Sequence, residues 1–80
     1  MIIMLRLKNV KIGNKYAEAD FYPENSLQVG HIVVDLSTRE IVSCVSIPGY
    51  GPMYEGHARQ GLTRMADEGD TTSERLVMWY

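Results

Sequence analysis

The feature that most constrains this chain is a pair of alternating apolar runs joined by a short polar connection. Residues 32–36 are rich in β-branched side chains, and residues 41–47 alternate in the same way. Alternation of this kind favours strands that bury one face of a pleated sheet. Because the connection at 36–40 is short and polar, it predicts a hairpin loop built around a type I turn. The segment 30–47 is therefore predicted to be a β-hairpin, with Arg39 where a left-handed backbone is usual.

A first hairpin is predicted from residues 2–12 and 15–22, which alternate on either side of a turn signal at 13–14. With a two-residue loop, the apolar side chains of the two strands fall out of step. One extra residue near Lys8 and Asn9 restores the match, so we expect a β-bulge there. In that register the facing pairs are Leu7 with Ala19 and Leu5 with Phe21.

The remaining elements are one strand before the central turn, a helix and a last strand. The strand is predicted over 27–36, and a change of apolar phase at Gly30 indicates a second bulge. After the Pro- and Gly-rich segment 48–52, residues at helical spacing predict an amphipathic helix that ends at Gly69. The final run, 75–80, is apolar on both faces and predicts an interior or interface strand. The helical stripe consists of Tyr54, Ala58, Leu62, Met65 and Ala66.

Together these elements predict an α+β fold in the order β-β-β-β-α-β. One helix is expected to pack on one face of a mainly antiparallel sheet. At 80 residues the chain, 1–80, is expected to form a single small domain. Size scaling indicates that only about 63% of its surface is buried on folding, which makes the core small. Since one helix cannot cover both faces of five strands, the second face is either solvated or a contact surface.

Composition excludes several classes of protein. The single cysteine, Cys44, cannot form an internal disulfide, and it leaves too few ligands for a cysteine-rich zinc site. In a predicted strand it is expected to be a small buried hydrophobe. The apolar run at 1–5 is too short for a signal-peptide core or a membrane span, so we expect a cytoplasmic protein without membrane contact. No ligand spacing around His31 or His57 supports a metal, and no cofactor is expected.

The charge is spread unevenly along the chain. Residues 1–15 carry four bases and no acid, whereas the other 65 residues carry four bases and ten acids, which gives the net −2. A basic strand beside Tyr16 and Tyr22 would bind nucleic acid through phosphate contacts and stacking. Glu18 and Asp20 share the face of those tyrosines and would oppose a phosphate backbone. Lysines that discourage edge-to-edge pairing are the simpler interpretation, and nucleic acid is not the preferred partner.

The Gly-rich segment 49–56 precedes the predicted helix, where backbone amides can hold an anion. It lacks the Lys and Ser or Thr of a phosphate-binding loop, and Pro52 removes one donor. We therefore interpret it as a connecting loop. Its side chains Tyr50, Met53 and Tyr54 are candidates for a protein contact, because aromatic and Met side chains suit interfaces.

The preferred hypothesis is a non-enzymatic module that works by protein–protein contact, either with a partner or with a second copy. If the helix covers Leu76 and Met78, Trp79 is left on the uncovered face, where a second subunit would bury it. Two hypotheses of other classes are a nucleic-acid-binding module that uses the basic N-terminal strand and a small enzyme with a Cys44–His57 pair. Such an enzyme would need a third group to orient that pair. A compact acidic chain of this size resembles many short reading frames of bacteria and their mobile elements, and no motif ties it to one family.

Overall fold

A computed structural model describes residues 3–24, 27–50 and 52–79. Residue 79 is described by its backbone alone. Within these residues, five strands form one antiparallel sheet and a single helix packs across one of its faces. The predicted α+β fold and the predicted order of elements are confirmed. The elements are β1 (Ile3–Ile12), β2 (Tyr16–Pro23), β3 (Gly30–Asp35), β4 (Glu40–Val45), α1 (Pro52–Glu68) and β5 (Arg75–Trp79). In space the strands follow the order β4-β3-β2-β1-β5, so β4 and β5 are the outer strands.

The first hairpin contains the predicted bulge but has a different register. The register shifts between Lys8 and Lys11, and Asn9 between them has a φ of 54°. Leu7 pairs with Phe21, which is two residues beyond the predicted partner, because the loop after β1 is longer than a two-residue turn. A displacement by two residues leaves every side chain on its predicted face, since strand side chains alternate with a period of two.

The central hairpin turns through Arg39, which has the predicted left-handed backbone with a φ of 63°. The Asp35 carboxylate accepts hydrogen bonds from the backbone N–H and the hydroxyl of Ser37, at 2.8 and 2.6 Å. This local cap holds the start of the loop. Across the fold, the Arg39 guanidinium donates two hydrogen bonds to Asp67 on α1, at 2.8 and 3.0 Å. The loop is therefore tied to the far end of the helix.

Gly30 has a structural role other than the predicted bulge. Strand β3 begins at Gly30, and its pairing with β2 runs without a shift, so the prediction of a bulge at this residue is wrong. The phase change arises because residues 27–29 precede the strand. Gly30 pairs with Phe21, and a Cβ at position 30 would lie only 2.3 Å from the tip of the Phe21 ring. Glycine is needed here because the ring occupies the space of a side chain.

A bulge that the alternating pattern does not reveal lies in β4. The register with β3 shifts there, and Val42 is the extra residue. Ile41 pairs with the buried Val34, on the side that faces the helix. Val45 pairs with His31, on the opposite side. The two ends of β4 therefore present their side chains to opposite faces, whereas uniform alternation predicts one face for both.

The core lies between the sheet and α1, and Gly61 brings the helix close to the outer strand β5. A Cβ at Gly61 would lie 2.8 Å from Val77 and 3.1 Å from Leu7. Val77 therefore packs beneath the helix, while Leu76 and Met78 are exposed on the other face. The arrangement considered from the sequence, in which the helix covers Leu76 and Met78, is thus reversed. The buried apolar residues are Leu5, Leu7, Ala17, Ala19, Phe21, Ile32, Val34, Ile47, Ala58, Leu62 and Met65.

The sheet face turned away from the helix is called the open face below. Strand pairing places the same side of all five strands there. The open face includes Arg6, Lys8, Lys11, Tyr16, Glu18, Asp20, Tyr22, His31, Val33, Ser43, Val45, Leu76 and Met78.

Candidate functional site

The two outer strands carry exposed apolar side chains. Val45 on β4 and Met78 on β5 are each 59% exposed, and Val42 and Leu76 are exposed beside them. Strand β4 contains no Lys, Arg or Pro and carries one charge, at Glu40. Among the described residues, no strand pairs with the outer side of β4 or β5. Each outer strand therefore offers unpaired backbone groups next to apolar side chains, a combination that favours pairing with another chain.

A groove runs between α1 and the outer strand β5, with a cavity of about 400 Å³. Gly61 and Val77 meet at its base, because the helix approaches the strand at Gly61. The helix contributes one wall, through side chains spaced at i, i+3 and i+7, and the strand contributes the other. The residues that define this α1–β5 groove are His57, Gln60, Arg64, Leu76, Val77 and Met78.

One end of the α1–β5 groove is held by Arg75. Its guanidinium donates to Glu68 Oε1 at 2.7 Å and contacts Asp70 Oδ2 at 3.4 Å, which joins β5 to the C-terminal end of α1. The carboxylate of Asp70 also accepts a hydrogen bond from the Thr72 hydroxyl at 2.7 Å, and this bond is the main reason that the pKa of Asp70 is lowered. Arg75 is thus neutralised by its own neighbours.

The predicted contact residues at the helix start have two different environments. Tyr50 and Tyr54 pack edge to face, with ring centroids 5.2 Å apart, and both pack against the core. The Tyr54 hydroxyl donates to Glu24 at 3.0 Å, and burial raises its pKa. The two tyrosines thus join the loop before α1 to the sheet. Met53 is exposed on the first turn of the helix. The fourth predicted residue, Trp79, lies on the outer strand β5, where its backbone pairs with Ile3.

Cys44 and His57 are not brought together. Cys44 lies on β4, at one edge of the sheet, and its pKa is raised by burial and by the charge of Glu55 on α1. The same Glu55 carboxylate accepts a short hydrogen bond from the Ser46 hydroxyl. His57 lines the α1–β5 groove at the other edge. A raised pKa keeps the thiol protonated at neutral pH, so the local chemistry of Cys44 opposes a role as nucleophile.

The open face contains a cluster of polar side chains that the sequence pattern did not predict. His31 Nδ1 lies 2.8 Å from Asp20 Oδ1, and His31 Nε2 lies 3.3 Å from Glu18 Oε2. The hydrogen bond to Asp20 is the main cause that raises the pKa of His31, and the same bond lowers the pKa of Asp20. Asn9, at the bulge of β1, donates to the second oxygen of Asp20 at 2.9 Å. Glu18, Asp20 and His31 all occupy open-face positions of their strands, but only the β2–β3 register shows that they are neighbours.

The bases of the N-terminal strand lie among acids and tyrosines. Lys8 pairs with Asp20 across the hairpin, and its ammonium lies 5.4 Å from the centroid of the Tyr22 ring. Lys15 stacks over Tyr16 in the same way, at 5.3 Å. The Asp20 carboxylate opposite Lys8 offsets part of the positive potential that a phosphate backbone would need, whereas the tyrosine contacts leave the lysine charges in place.

Searches against protein-family models, curated proteins and solved structures find no significant match to this chain. Within the described ranges, no group of three or more His, Cys, Asp or Glu side chains is arranged to hold a metal ion. The same part of the chain contains no helix that is long and apolar enough to cross a membrane. The fold and its surface define a small α+β domain in which the outer strands β4 and β5 pair with no further described strand.

Proposed function

We propose that this chain is a small non-enzymatic module that works by protein–protein contact through the edges of its sheet. The observation that carries the proposal is the outer strand β4, where exposed Val42 and Val45 flank an unpaired backbone edge. Proteins usually protect such an edge with Lys, Pro or a covering loop. Among the described residues of β4, the bulge at Val42 is the one feature that opposes such pairing.

A second copy of the chain suits this edge. Two β4 strands related by a two-fold axis would pair antiparallel and join the two sheets into one. Glu40 stands at the start of β4, so in that arrangement the two Glu40 carboxylates lie at opposite ends of the shared pair, roughly 17–20 Å apart. Their repulsion is small at that separation, because it exceeds the screening length at physiological salt. Val45 of each copy would leave water, which supplies a hydrophobic contribution to association.

Analytical ultracentrifugation over a dilution series tests this proposal. We expect a dimer at micromolar concentration and a monomer for Val45→Lys, because a lysine on an edge strand opposes pairing. Met78→Lys is the matched control, since Met78 has the same exposed fraction, 59%, on the opposite edge. Circular dichroism melts show whether each variant keeps its fold.

The same measurements show which edge of the sheet forms the dimer interface. A wild-type protein that stays monomeric across a hundredfold dilution, up to high concentration, would contradict the dimer. Dissociation by Trp79→Ala together with a persistent dimer for Val45→Lys would move the interface from β4 to β5.

A further inference from the structure

The α1–β5 groove lies beside an unpaired edge of the sheet, where an extended strand could be added. Strand β5 pairs with β1 on one side, and its other side is unpaired within the described chain. A strand added to that side would lie about 4.8 Å away and run parallel to the groove. Its helix-facing side chains would lie over the cavity of about 400 Å³. Addition of a peptide strand to a sheet edge beside a helix is a common mode of peptide recognition.

The different surroundings on the two faces of β5 predict an alternating partner sequence. Side chains of an added strand point alternately toward the helix and toward the open face. On the open-face side they would contact Leu76 and Met78, which are 48% and 59% exposed. On the helix side they would contact Gln60 and Arg64. The partner segment therefore needs apolar residues at every second position and polar residues between them.

Charge defines the polar positions. The residues that line the groove include Arg64 and Arg75 and no carboxylate, although the chain as a whole carries a net −2. Arg75 is neutralised by its bonds to Glu68 and Asp70. Arg64 is exposed and forms no ion pair with any described residue. Acidic side chains at the helix-facing positions would complement Arg64 with charge-assisted hydrogen bonds.

A second copy of this chain is a poor occupant of the groove. Two-fold pairing of β5 strands would bring two helical walls toward each other, each with the cationic Arg64 and neither with an acid among its lining residues. Like charges at such a contact oppose association. The β4 edge has no such conflict, so self-association and partner binding fall on opposite edges of the sheet.

Resting on the proposed function of protein contact, we propose that the α1–β5 groove binds an extended segment of a partner protein. In this segment acidic and apolar residues alternate, and its backbone pairs with β5. Arg64 holds the acidic side chains, and Leu76 and Met78 hold the apolar ones.

Selection from a displayed library of random ten-residue peptides tests the proposal, with the full chain immobilised. We expect enrichment of peptides that carry Asp or Glu at alternate positions with apolar residues between them. Affinities of the enriched peptides are then measured by fluorescence anisotropy on wild type, Arg64→Glu and Arg59→Glu. Arg59→Glu is the matched control, because it makes the same change of charge on the same helix, at a residue whose side chain bonds the Arg39 carbonyl instead of lining the groove.

Arg64→Glu should weaken binding roughly tenfold or more, because a charge-assisted hydrogen bond becomes a repulsion, whereas Arg59→Glu should leave affinity within about twofold. Amide NMR shifts on peptide binding should concentrate in 57–64 and 75–78. Enriched peptides that are basic or lack a pattern, or equal loss in both variants, would overturn the proposal.

If peptide binding shifts the amide signals of β4 instead, the groove site is wrong and the proposed function still stands. If the wild-type protein neither enriches peptides nor self-associates, the proposed function is wrong as well.

Discussion

The close approach of Gly30 to Phe21 leads to a specific stability prediction. A methyl group at position 30 would lie 2.3, 2.6 and 2.8 Å from three atoms at the end of the Phe21 ring. Carbon atoms pack favourably at about 3.5–4.0 Å, so the ring would have to move by about 1 Å or more. Phe21 is 1% exposed and lies in the middle of the core, where little space is open to it. We therefore expect Gly30→Ala to destabilise the fold.

Two opposing effects set the size of that loss. Overpacking of a core typically costs about 1–3 kcal/mol. Alanine is more favourable than glycine within a strand by about 0.5–1 kcal/mol, which offsets part of the cost. The net loss should be about 1–2 kcal/mol, or a fall in melting temperature of roughly 4–16 °C for a domain of this size.

A double-mutant cycle in urea provides the assay. Phe21→Leu removes the ring atoms that approach Gly30, so Gly30→Ala should cost less in that background, and the coupling free energy should be about 1 kcal/mol. The m-values report whether all four proteins expose similar surface on unfolding. Gly30→Ala as stable as the wild type, or effects that add within about 0.5 kcal/mol, would refute the close approach as the reason for glycine.

Two further results are expected. Leu62→Ala should lower the free energy of unfolding by about 2–5 kcal/mol, because Leu62 is fully buried between helix and sheet; an unchanged melting temperature would show that this stripe does not face the core. Because the pKa of His31 is raised above its ordinary value of about 6.5 by the hydrogen bond to Asp20, its contribution to stability is full below that pH and is lost as pH rises through the raised pKa. Urea unfolding from about pH 5 to about pH 9 should show this loss in the wild type and a smaller one in His31→Gln; identical pH profiles would contradict it.

Local sequence patterns determined the types of element and some backbone details. Alternation at 32–36 and helical spacing from Tyr54 to Met65 depend only on near neighbours, so both elements were predictable. The left-handed backbone of Arg39 and the bulge beside Asn9 were predictable for the same reason, since turn geometry and the matching of two adjacent strands constrain them.

Part of the candidate site also followed from sequence. The apolar character of the last strand on both faces predicted an interior or an interface strand. The interior alternative is wrong, because β5 is an outer strand, and its exposed Leu76 and Met78 are compatible with an interface. The α1–β5 groove itself was not predictable. It requires the close contact between Gly61 and Val77, and no local pattern shows which strand the helix covers.

The sequence by itself determined that this chain is an α+β domain with one helix and an antiparallel sheet. Only the tertiary structure decided which strands lie at the edges, that Val77 faces the helix, and that His31 meets Asp20 and Glu18. Each of these depends on residues that are distant in the chain and become neighbours through strand pairing. Side-chain periodicity states which residues share a face of one element, but it leaves open which elements lie side by side.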